Sequence, residues 1–142
     1  MTEKYIELKK TYKELPDIEW IETQFGISVQ EKNIVEINLE IATKIEEIIE
    51  TLENLLVVKE SYKYFLEHNF LDKSDKEKIY NCFKSFNSHI WKFYSNYING
   101  NIKMHVNWIL ETKNLFEKYK KNLSEVFEKL GLKWAETKEK IE

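Results

Sequence analysis

The side chains able to do chemistry in this chain are few. Its three histidines are His68, His89 and His105, and Cys82 is its single cysteine. Cys82 and His89 stand seven residues apart, which on a helix points both the same way and would supply two zinc ligands. Zinc takes three or four ligands and no second pair accompanies these two, so no metal centre is expected. A di-iron bundle needs Glu three residues before a ligand histidine. Those positions hold Phe65, Phe86 and Ile102. Cys82 therefore reads as a small core filler and His89 as a residue at the core boundary. Ser85, Ser88 and Ser95 fall inside one predicted helix, where a hydroxyl bonds the preceding turn rather than attacking a substrate. There is no Gly-x-Ser-x-Gly elbow and no phosphate-cradling glycine loop. Glu46, Glu47 and Glu50 are too densely set to be an acid/base pair and read as a solvated face. Neither catalysis nor a cofactor is expected.

All 22 basic residues are lysines. With no guanidinium, bidentate capture of phosphate, carboxylate or guanine is excluded, and so is an arginine finger. The bias fits codon usage in an AT-rich genome. Two short stretches nevertheless resemble known families. Lys84-Ser-Phe-Asn-Ser-His89 resembles the Arg-x4-His motif of the helical HEPN ribonucleases, over six residues and with lysine in place of arginine. That resemblance implies a cation and a histidine converging on a scissile phosphate. Ile21 to Ser28, with Gly26 and Ile27 at its turn, resembles the turn of helix-turn-helix DNA readers. Glu22 and Lys32 stand where that motif packs small or apolar residues, and Glu31, Glu36 and Glu40 would be repelled by phosphate.

Charge is unevenly spread. Residues 1–58 carry 13 acidic groups and 6 lysines, whereas residues 59–142 carry 12 and 16. Residues 75–121 alone hold nine lysines against four acidic groups, with many aromatics between them. Lysines alternating with exposed aromatics hold single-stranded nucleic acid by charge and stacking, which makes that segment the alternative binding surface. Phe83, Phe86, Phe93 and Tyr97 are at core spacing, so only Trp91, Tyr94 and Trp108 are candidates for an exposed edge.

The elements that must position these groups are helices. Three Gly and one Pro are too few for the turns of a β-sandwich or barrel, and 142 residues make a single domain, 1–142. A first helix is predicted over 3–14 with Thr2 as its cap and Tyr5, Leu8, Tyr12 and Leu15 on one stripe. Pro16 ends it, and a second runs over 18–25 from Asp17 to Gly26. Ser28 and Glu31 form a capping-box pattern, after which Ile34, Ile37, Ile41, Ile45, Ile48, Leu52 and Leu55 recur at helical period. With no breaker before His68-Asn69, one long helix over about 29–68 is predicted, ~60 Å in length. A second box, Ser74 with Glu77, opens a helix over about 75–98 of ~36 Å, closed by Asn99-Gly100. The last, about 101–130, has Asn122 to Glu125 as a point of kinking or restart and Gly131 as its stop. Leu132, Trp134 and Ile141 mark a frayed terminal turn.

Short connections make this an all-α, up-down-up antiparallel helical bundle with short N-terminal helices. The long helix overhangs its neighbour and leaves Ile34, Ile37 and Ile41 to be covered either by the N-terminal helices folding back or by another chain. The expectation is a non-catalytic bundle that binds another protein or itself, as a possible homodimer, through Ile34, Ile37, Ile41, Trp91 and Tyr94. No apolar run is long enough to span a bilayer and the first residues lack a signal-peptide core, so a cytoplasmic protein without membrane contact is expected.

Overall fold

The computed structural model describes residues 3–138, which form six α-helices and, among the described residues, no β-strand. They are α1 (Tyr5–Thr11), α2 (Ile18–Phe25), α3 (Ile34–Leu56), α4 (Tyr62–Phe70), α5 (Lys73–Asn99) and α6 (Ile102–Glu136). The all-α fold read from the sequence is the fold observed. Thr2 and Ile141 lie outside the described residues.

The helix boundaries differ from expectation in instructive ways. α3 starts at Ile34, and its box is Asn33 with Glu36, the Glu36 amide donating to Asn33 Oδ1 at 2.9 Å. The Ser28 box is not used because its residues have other partners. The Val29 amide donates to Glu22 Oε2 at 3.0 Å, its side chain is buried, and Glu31 pairs with Lys4 at 2.7 Å. Gly26 does end α2 in the left-handed conformation, at φ 65°, but the next helix begins eight residues later. That is no helix-turn-helix.

The expected 40-residue helix is two. α3 stops at Leu56, Val57 is extended, and the exposed Val57-Val58 pair separates it from α4. His68 of α4 turns back to place Nδ1 3.1 Å from the Leu55 carbonyl, one of the orphan acceptors at the α3 terminus. α5 opens two residues early, on a box formed by Asp72 and Asp75 rather than Ser74 and Glu77. Lys129 of α6 reaches both carboxylates, at 3.3 and 2.5 Å, and so fixes which box is used.

α5 closes at Gly100, whose amide donates to the Asn96 carbonyl at 2.6 Å. A Cβ at Gly100 would collide with that oxygen, so a larger residue would have to shift the backbone. α6 neither kinks at Asn122 nor stops at Gly131. It continues to Glu136 because Trp134 docks on α4, edge-on to Phe70 at 5.3 Å and donating to Glu67 at 2.9 Å. At 35 residues it is the longest helix, ~52 Å.

α5 and α6 lie antiparallel, with His89 against Thr112, Ser85 against Tyr119 and Lys78 against Glu125. One core links all the layers, from Tyr5, Leu8 and Leu15 through Ile37, Ile41 and Ile45 to Phe86, Phe93, Trp108 and Ile109. No helix among the described residues is long and apolar enough to cross a membrane.

Candidate functional site

Ile34, Ile37 and Ile41 are buried, with no more than 1% of any of them exposed. The expected overhang does not exist, because the N-terminal segment folds back over it. The Tyr5 amide donates to the Lys32 carbonyl at 2.9 Å, joining the start of α1 to the start of α3. Phe25 stands edge-on to Phe116 at 5.1 Å, and the Lys103 and Lys113 ammonium groups sit over the Tyr12 and Trp20 rings. These contacts lock α1 and α2 onto α6, and the isoleucines serve the core.

Trp91 and Tyr94 are on the surface as expected. Their rings are 5.7 Å apart, and the stripe continues to Ile98. The steps of three and four residues set the three side chains on one face of α5. Trp91 is 70% and Ile98 81% exposed, and Tyr97 beside them is half exposed. Tyr94 donates from its hydroxyl to Glu46 Oε1 at 2.5 Å, and this bond raises the phenol's pKa. The contact sets α3 alongside the stripe. Glu46, Glu50 and Glu53 share one face of α3 and are exposed; Glu46 meets the aromatic stripe at Tyr94, and the other two follow α3 towards its C-terminal end, where Leu56 lies by Lys73 and Tyr80. Ile98 escapes sequence reading because it falls in the last turn, after the core period has run out.

The neighbouring flank of α5, on which Lys84 stands seven residues before Trp91, forms a groove with α6, about 840 Å³ in volume, walled by Lys78, Lys84, Lys92 and Lys118. Lys84 and His89 of the HEPN-like stretch both line it. His89, however, is 2% exposed and belongs to the core rather than its boundary. Its ring is stacked flat on Trp108, with centroids 4.4 Å apart, and Nε2 lies 2.6 Å from Thr112 Oγ1. The Thr112 hydroxyl donates to the Trp108 carbonyl, so its oxygen accepts from Nε2–H and Nδ1 is the bare nitrogen. Burial, reinforced by Lys92, pulls the His89 pKa down to about 4. The bare Nδ1 lies 3.8 Å from Glu111 Oε2.

Trp108, a candidate edge aromatic, is buried, and its Nε1 donates to the His89 carbonyl at 2.8 Å. Cys82 is also buried, which pushes its thiol up to about 12. Among the described residues no group of three or more His, Cys, Asp or Glu side chains is placed to hold a metal ion. An apolar cleft of about 650 Å³ between α3 and α6, walled by Ile48, Phe116, Leu123 and Phe127, went unread because its walls are far apart in sequence. Compared with protein-family models, curated proteins and solved structures, the chain matches none of them.

Proposed function

We propose that this bundle is a non-catalytic protein-binding module whose partner lays a basic amphipathic helix along the Trp91, Tyr94 and Ile98 face of α5. The exposure of Trp91 and Ile98 carries the reading: two large apolar side chains project from a rigid helix, with none of the described residues over them. Tryptophan and tyrosine are common interface anchors because they bury much area at little conformational cost. Glu46 beside Tyr94, with Glu50 a turn further on, selects the partner's charge. It also disfavours a second copy set antiparallel on this face, since that twofold contact would bring like carboxylates together. The proposal places the protein in the cytoplasm, where its lone thiol stays reduced.

A dye-labelled helical peptide of leucine and lysine, patterned to present one apolar face, tests this by fluorescence anisotropy. Binding is expected, with affinity falling about tenfold or more in Trp91→Ala and in Ile98→Glu. Replacing Glu46 and Glu50 by Gln should weaken binding and flatten its salt dependence. Equal binding by the Trp91→Ala variant, or equal binding of a leucine and glutamate peptide, would overturn the reading.

A further inference from the structure

We propose that the groove between α5 and α6 binds a phosphodiester strand, single-stranded RNA or DNA, by its backbone alone. The chain as a whole carries a net charge of −3, yet this groove is walled by four lysines and one carboxylate, Glu111. Glu111 is taken up by Lys92 at 3.6 Å and lies 3.8 Å from His89 Nδ1. Lys78 has Glu125 beyond the groove wall at 3.9 Å. Among the described residues Lys84 and Lys118 have no carboxylate within 4 Å. Asn81, Ser88 and Asn114 add neutral donors between the charges.

The spacing selects the ligand. From Lys78 to Lys84 is ~9 Å along α5 and from Lys84 to Lys92 a further ~12 Å. No single phosphate can meet all of these, whereas a strand offers one charge after another along its length. Base stacking is not available in the groove. Tyr119 is buried with its hydroxyl 2.8 Å from Ser85 Oγ, and His89 is covered by Trp108. Recognition is therefore of the backbone, without base preference and without a distinction between ribose and deoxyribose.

Anisotropy of dye-labelled oligo(U) and oligo(dT) with the full chain tests this. Both are expected to bind alike, with affinity falling roughly sevenfold between about 50 and 200 mM salt if Lys84 and Lys118, the two without a carboxylate, each neutralise one phosphate. The double variant Lys84→Ala, Lys118→Ala should lose about tenfold in affinity and flatten the salt slope by about 1.4. The control Lys10→Ala, Lys63→Ala, on α1 and α4, should bind as the parent does, and so should Trp91→Ala. All of these side chains are exposed, and circular dichroism checks that each variant is folded. Absence of binding at the lower salt, a control loss equal to that of the groove variant, or full competition by millimolar inorganic phosphate would overturn the proposal.

Discussion

His89 sits flat against the Trp108 indole, held at Nε2 by Thr112, with Glu111 and Lys92 near Nδ1. Burial and the Lys92 charge keep it neutral down to about pH 4, against an ordinary value of 6.5. Between those two values the unfolded chain binds a proton that the folded chain refuses, so stability is complete above pH 6.5 and falls as the pH drops. The loss from this residue is of the order of 3 kcal/mol by pH 4. Denaturant melts of wild type and His89→Phe at pH 7 and pH 4.5 check this. The variant should lose less stability on acidification, since phenylalanine keeps the stack and removes the titration. His105, also shifted down by burial, contributes to the slope that persists. Equal losses in the two proteins would show that His89 is not the proton sink. At this scale the sequence discloses identity and spacing but not burial. Lys84-x4-His89 shows a cation and a base at helical spacing but not that the ring is held between Trp108 and Thr112, whereas Trp91 and Tyr94, off the core period, were legible as surface residues.

Helix ends show where local signals compete. Ser28 with Glu31 and Asn33 with Glu36 are both valid capping boxes, and the second is used because Glu22, Val29 and Lys4 claim the first. Asp72 with Asp75 displaces Ser74 with Glu77 through Lys129, fifty-four residues beyond Asp75. Such decisions belong to tertiary contacts and cannot be read locally. Gly131 is the clearest case. It looks like a stop, but it is helical, exposed, and without an atom that a Cβ would meet. Gly131→Ala should therefore stabilise the protein by about 0.5–1 kcal/mol, the usual gain in a helix interior. Thermal unfolding checks this, and a lower melting temperature would contradict the helical assignment. The isoleucine ladder of α3 teaches the same lesson at greater length. Its period predicted a helix correctly, while Tyr5, Leu8 and Leu15 join it in one buried core, a docking that no periodicity records.

Across the molecule, α5 carries two surfaces of opposite character. One flank joins α3 in an aromatic face that Glu46 meets at Tyr94, and the neighbouring flank joins α6 in a groove walled by lysines. The uneven charge of the two halves of the chain foreshadowed this division. The pairing of Lys118 with the α5 lysines, by contrast, depends on a helix register visible only in three dimensions. The two proposals give each face its own ligand, with α5 as their common support. Replacing Ile98 by a photo-crosslinking amino acid and irradiating cells of the source organism probes the aromatic face where it works. The adduct expected is with one discrete protein, mapped to a segment rich in aliphatic and basic residues, and it should disappear when Trp91→Glu is added. An adduct to a second copy of the same chain, or one that persists unchanged with Trp91→Glu, would contradict the proposal that this face receives a foreign, basic partner.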